Sequence, residues 1–210
     1  MIPVKEILLL PGDFFDDLAK KPESLKIPAI IILIPAFFSG IAAAIASSAS
    51  IPLLPQEAEF MSGILPIIGF VAALVMTFIF MIIWAGIMHI ISSFLKGEGS
   101  FTRTLEVVGY GSIPQIFGSI IAVILTYLHF SSLTIPSVTS QAEIMAVSEI
   151  MSTGPLMQAV TVIGIIVFIW SANIWLFGIM KCRKMQFKQA AMSVGIPVAF
   201  YLIMTIGSLI

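Results

Sequence analysis

Charge is scarce in this sequence. Only 10% of its 210 residues are Asp, Glu, Lys or Arg, where a soluble domain carries roughly 25%. So few polar groups cannot cover the surface of a domain this size, which excludes a water-soluble fold. The single cysteine, Cys182, excludes an intramolecular disulfide, and it reads as an inert thiol rather than a palmitoylation site. The one asparagine, Asn173, is followed by Ile and Trp and makes no glycosylation sequon. Alternation of polar and apolar residues is missing, which disfavours a β-barrel. No nucleotide loop, carboxylate pair, Cys/His ligand cluster or Ser/His/Asp set can be assembled. The sequence therefore predicts a non-enzyme with no cofactor and no metal, and nothing in it points to a nucleic acid partner.

Apolar residues fill the space that charge leaves. They make up 59% of the chain, and the mean hydropathy is +1.12. Asp, Glu, Lys and Arg are absent from 27–56, 60–95, 107–142, 150–180 and 189–210. Each interval exceeds the ~20 residues a helix needs to cross a ~30 Å hydrocarbon core. Helices satisfy the backbone in lipid, so the expected fold is an all-α integral membrane bundle of five transmembrane helices. We place the spans at 28–47, 64–94, 113–130, 155–180 and 189–209. Pro28, Pro66, Pro114 and Pro155 fall in first turns, where the missing N–H costs nothing. Pro35 and Pro197 lie deeper, where each either kinks its helix or, for Pro197, marks a later start. Residues 1–26 form an N-terminal segment and 27–210 the membrane domain. No secretory leader is expected, since the apolar stretch 7–10 is too short for one.

The basic residues set the orientation. Lys5, Lys20, Lys21 and Lys26 precede the first span, Lys96 and Arg103 follow the second, and Lys181, Arg183, Lys184 and Lys188 follow the fourth. That is every Lys and Arg in the chain, whereas the other two connections hold only Glu57, Glu59, Glu143 and Glu149. By the positive-inside rule the N-terminus is cytoplasmic and the C-terminus outside, in a multi-pass protein of the cell (plasma) membrane. The lipid bilayer, its anionic headgroups in particular, an unidentified protein and a second copy of the chain are the expected partners.

Two stretches on the basic side stand out. In 11–22, Asp13 can cap a short helix with Phe14, Phe15 and Leu18 on one side and Lys20 and Lys21 beyond. It suits either a helix in the headgroup layer or a lid packed under the bundle. In 97–114, Gly97 and Gly99 allow a sharp turn, and Ser100 or Thr102 can cap a helix carrying Phe101, Leu105 and Val108. The run Gly109, Tyr110, Gly111, Ser112, Ile113, Pro114 is expected to break that helix ahead of the third span.

The turn, then Phe101, then seven residues, then Gly-Tyr-Gly-Ser-Ile-Pro, with five spans and an earlier Asp-Phe-Phe, resembles the Yip domain family of Rab-interacting membrane proteins. The resemblance covers nearly the whole chain and implies its architecture and a link to membrane trafficking or remodelling and small GTPases. Eukaryotic members carry a long hydrophilic region before the first span. Here it is about 26 residues, which resembles the short prokaryotic members.

Internal similarity suggests a parallel repeat of two hairpins. Residues 86–88 and 178–180 both read Gly-Ile-Met, and Phe101, Val108 and Gly109 match Phe187, Val194 and Gly195 in spacing, with Pro114 loosely answered by Pro197. Gly40/Ala44, Gly118/Ala122, Gly195/Ala199 and the series Gly164, Ser171, Gly178 have spacings that let helices approach closely. His89 reads as the titratable group within a span, most simply a hydrogen-bond partner of a neighbouring helix. With Gln115, Gln158, Ser171 and Asn173 it could line a polar path, and then the chain would be a passive small-solute or ion transporter or channel. The first reading is instead an adaptor or membrane organiser. Its cytoplasmic interaction surface would draw on Phe14, Phe15, Phe101, Arg103, Gly109, Tyr110, Gly111, Pro114, Arg183, Lys184, Phe187 and Lys188. The interleaving of Lys181, Arg183, Lys184 and Lys188 with Met185 and Phe187 is the feature that charge bias alone does not explain.

Overall fold

The computed structural model describes residues 3–54, 60–134 and 140–207, so Glu57 and Glu59 lie outside the described residues. Five of its helices are long and apolar enough to cross a membrane. They are α3 (Lys26–Ala49), α4 (Leu65–Phe94), α6 (Ile113–Ser132), α8 (Pro155–Cys182) and α9 (Phe187–Gly207). Each coincides with an expected span to within a few residues. Pro66, Pro114 and Pro155 stand at helix starts, while Pro35 and Pro197 lie inside α3 and α9. Pro197 does not delay the last span, because Phe187 already begins it.

Shorter helices cover both ends. α1 (Val4–Leu9), α2 (Pro11–Ala19) and α5 (Phe101–Gly111) lie at the end that carries the basic residues. α7 (Gln141–Ser152) lies at the other and is closed by a capping box between Ser140 and Glu143. α3 packs along α4 and α6, α6 along α8, and α9 against α8 and α4. α5 wedges between α3, α4 and α8, and α2 packs under α8. With Phe15 0% and Leu18 6% exposed, α2 is a lid packed on the bundle. Asp13 sits in its first turn but does not cap it, since Leu10 holds the N-cap and Pro11 the first helical position.

Small residues let these elements meet, and they do so unevenly. A Cβ on Gly40 would stand 2.8 Å from the Phe70 ring, and one on Gly118 would stand 2.8 Å from Val167. Gly178 faces Val107 and the Phe15 ring just as closely. Gly195 and Gly164, however, have open space beside them, so they are not packing positions.

The two hairpins share one detail that sequence matching did not show. Two residues beyond the ends of α4 and α8 stands a lysine with positive φ, Lys96 (65°) and Lys184 (51°). The next residue in each case bonds five residues back, Gly97 to the Ser92 carbonyl and Met185 to that of Met180, which is the Schellman arrangement. Other correspondences part. Val108 and Val194 are both buried, but Gly109 is tightly packed while Gly195 is open. The first hairpin interposes α5, whereas α9 runs unbroken.

Candidate functional site

The basic end is organised by two buried arginines. Arg103 is 7% exposed and Arg183 1%. The sequence placed both on an interaction surface, and here the structure corrects it: each guanidinium is turned into the protein and caps the C-terminus of another helix.

Arg103 reaches back to the lid. Ser100 caps α5 by accepting from the Arg103 amide at 3.0 Å, which fixes the first turn. The guanidinium then donates to the Leu18 carbonyl at 3.0 Å and the Lys21 carbonyl at 2.5 Å, at the end of α2. It also pairs with Glu106 at 2.6 Å. Glu106 is itself buried and accepts from the Ser24 amide at 2.9 Å. Burial holds its carboxyl above the ordinary carboxylate range, against the opposing pull of the Ser24 amide and Arg103. Ser100 donates to Glu23 at 2.5 Å and Arg103 Nε lies 4.0 Å from the same carboxylate, so residues 18–24 are tied to α5 and its cap at five points.

Arg183 follows the last residue of α8 and reaches under α4. It donates to His89 Nδ1 at 2.6 Å, the Thr104 hydroxyl at 3.2 Å, the Ser93 hydroxyl at 2.9 Å and the carbonyls of Gly97 (3.2 Å) and Gly99 (3.4 Å). No carboxylate pairs with it among the described residues, and its Nε has no hydrogen-bond partner there. Its charge is met instead by the carbonyls of the turn that follows α4 and by the hydroxyls of Ser93 and Thr104, close to the C-terminus of α4, where a helix presents partial negative charge. Burial makes the group less basic than usual, though a guanidinium stays protonated. Accepting from it requires that Nδ1 of His89 carry no proton. His89 thus serves as a structural acceptor, with its ring edge-on to Phe101.

The Gly-Tyr-Gly run does not break α5. The helix continues through Gly111 and the chain turns only at Ser112. Its glycines are close-approach positions. A Cβ on Gly109 would lie 2.5 Å from that of Pro28, and Gly111 lies against the Trp175 ring. Trp175 donates its indole N–H to the Val108 carbonyl at 3.0 Å, which locks α5 to α8. Tyr110 is buried with Phe14 edge-on to it, ring centroids 5.0 Å apart. Phe15, Gly109, Tyr110, Gly111 and Pro114 are therefore packing residues, and their side chains are not offered to a partner.

The exposed part is smaller. Phe94, Phe101 and Phe187 project apolar rings, and Lys96, Lys184 and Lys188 are exposed beside them. The two turns carrying them are joined: Glu98 donates its amide to the Arg183 carbonyl at 3.0 Å, Lys184 pairs with Glu98 at 2.8 Å, and Gln189 donates to the Leu95 carbonyl at 3.1 Å. Lys181 is turned to Asp16 of the lid at 2.6 Å, and Cys182 is buried against the Phe15 carbonyl.

Within the membrane the polar residues do not converge. Gln115 donates to Ser171 at 3.2 Å, joining α6 to α8. Asn173, expected inside the bundle, is exposed on its outer side, as is Gln158. His129, which the sequence reading passed over in naming His89 alone, is buried near the far end of α6. Its Nε2 lies 3.1 Å from the Met151 carbonyl of α7. The spacing of Ser140 and Glu143 was the available signal for α7 and hence for that contact.

The sequence profile of the Yip1 domain matches residues 5–209. An uncharacterized protein of Methanocaldococcus jannaschii is 36% identical over 122 residues, which span 58% of this chain and 86% of that protein. No solved structure matches.

Proposed function

The chain belongs to the Yip1 domain family, and from that premise we propose that it is a non-enzymatic membrane organiser or adaptor working through a cytoplasmic face. That face is the basic end, and the family resemblance links it to membrane trafficking or remodelling. The observation that carries the reading is how that end is built. Two buried arginines and a docked lid hold 18–24, 96–111 and 183–188 in one fixed arrangement, leaving phenylalanines and lysines exposed along it. Apolar rings that dip into an interface beside lysines that attract anionic headgroups make a lipid-engaging surface. A protein partner or a second copy of the chain would meet the same features.

Orientation in the plasma membrane is tested with Cys182→Ser as background. A cysteine at Ser62 should react with an impermeant thiol reagent in intact cells and one at Ser100 should not; the reverse pattern would invert the face. The adaptor reading is tested by Lys184→Gln with Lys188→Gln, which leaves the buried arginines untouched. In nanodiscs of mixed phosphatidylglycerol and phosphatidylcholine, the wild type should enrich phosphatidylglycerol around itself and the double variant should not. Equal enrichment, together with a solute flux that Gln115→Ala abolishes, would replace the adaptor with a passive transporter.

A further inference from the structure

Between α4 on one side and α6 and α8 on the other lies a cavity of about 580 Å³, walled also by α3 and Tyr201 of α9. That is a volume typical of ligand pockets, roughly 300–1,000 Å³, in an interior where voids larger than a water are few. It is elongated. Val160 and Trp175 both line it from α8, and fifteen helical residues span about 22 Å. That is longer than the ~15 Å of hydrocarbon in one leaflet. Phe80 and Ile83 line it and are also exposed, 62% and 48%, so it opens sideways to the bilayer.

Its chemistry selects the occupant. Among the described residues, no charged side chain lines it. Thr77 and Ser119 donate to carbonyls of their own helices, Ser112 donates to the Val108 carbonyl of α5, and Gln115 donates to Ser171. What remains is Ser39, the Gln115 carbonyl, the indole N–H of Trp84 and the Tyr201 hydroxyl, on four different helices. A held water needs two to four polar partners, and these are too sparse to support a file of water. An empty slot would forfeit dispersion contacts along its whole wall. We propose that this cavity is a binding site for one hydrocarbon tail of a membrane lipid, entering sideways between α4 and α8. The site is separate from the basic face and does not depend on how that face works.

Gly164 provides the test, because it lines the cavity and has open space where a Cβ would go. Gly164→Leu starts from a Cβ that meets no atom within 4 Å and puts a branched side chain into the slot, obstructing it. Trp84 lines the cavity, while Trp170 lies on the outer surface, 39% exposed. The full chain is placed in vesicles of phosphatidylcholine brominated at mid-chain. In a Trp170→Phe, Trp175→Phe background, Trp84 fluorescence should be quenched at least as strongly as that of Trp170, read in a Trp84→Phe, Trp175→Phe background. Gly164→Leu should reduce the Trp84 quenching at least twofold and leave that of Trp170 unchanged. Quenching of Trp84 that ignores Gly164→Leu, or by aqueous iodide but not by the brominated lipid, would overturn the proposal. A second measurement needs no tryptophan substitution. By native mass spectrometry from mild detergent, the wild type should retain one phosphatidylcholine per chain and Gly164→Leu none; equal retention, or none in either, would count against the site.

Discussion

The basic end and the middle of the membrane are built on opposite plans. At the basic end, buried polar groups are dense and reach long distances in sequence: Arg103 bonds to residues 18 and 21, and Arg183 to residues 89, 93, 97, 99 and 104. In the middle most hydroxyls bond to their own helix, Gln115 with Ser171 joins two helices, and a cavity remains. Polar capacity is concentrated where water and headgroups can share the cost of desolvation, and the hydrocarbon region is held by shape. The contrast teaches that positive charge in a membrane protein need not be surface charge, since two of the ten Lys and Arg residues are internal fasteners.

The strongest way to break the contrast is at the arginines themselves. Arg103→Met leaves Glu106 buried without its cation and should cost about 3–5 kcal/mol. Arg183→Met strands no carboxylate and should cost only about 1–2 kcal/mol, the loss of neutral acceptors' partners. Thermal unfolding in detergent ranks the two, and a reversed order would mean that the neutral acceptors around Arg183 hold their guanidinium more strongly than Glu106 holds that of Arg103. Next come the glycines. Gly111→Ala pushes on Trp175 and should cost about 1–3 kcal/mol, whereas Gly164→Ala, in open space, should be neutral or gain up to about 1 kcal/mol.

These outcomes bear on what the sequence could disclose. Five spans were legible because charge-free intervals report lipid exposure directly, residue by residue. The positions of Arg183 and Arg103 were not, because charge counting treats every cation near a span end as solvated. Whether a guanidinium faces in or out depends on acceptors distant in sequence, such as His89 and Gly97, 94 and 86 residues from Arg183. The glycines misled for the same reason: Gly109 and Gly111 looked like helix breakers, and their true partners, Pro28 and Trp175, are distant in sequence. Asn173 looked interior because polar groups in lipid usually are, and only the packing of α8 shows its outward side.

A subtler effect is pH dependence. The Glu106 carboxyl is pushed above its ordinary 4.5 by burial. Its native state therefore binds a proton more readily than the unfolded chain does. Lowering pH through the raised value toward 4.5 should increase stability, opposite in sign to an ordinary salt-bridged carboxylate. The melting temperature should rise on mild acidification in the wild type, and Glu106→Gln should flatten that part of the profile. Smallest of all is Lys184→Ala. Its pair with Glu98 is exposed, so no measurable change in melting temperature is expected.

The central claim is that the basic end is a fixed platform rather than loose segments resting on a membrane. Hydrogen–deuterium exchange on the full chain in nanodiscs tests it most directly. The account predicts that amides of α2 and α5 exchange nearly as slowly as those of the spans, and that Arg103→Met speeds both together while leaving α6 and α8 unchanged. Fast exchange of α2 and α5 in the wild type would contradict it.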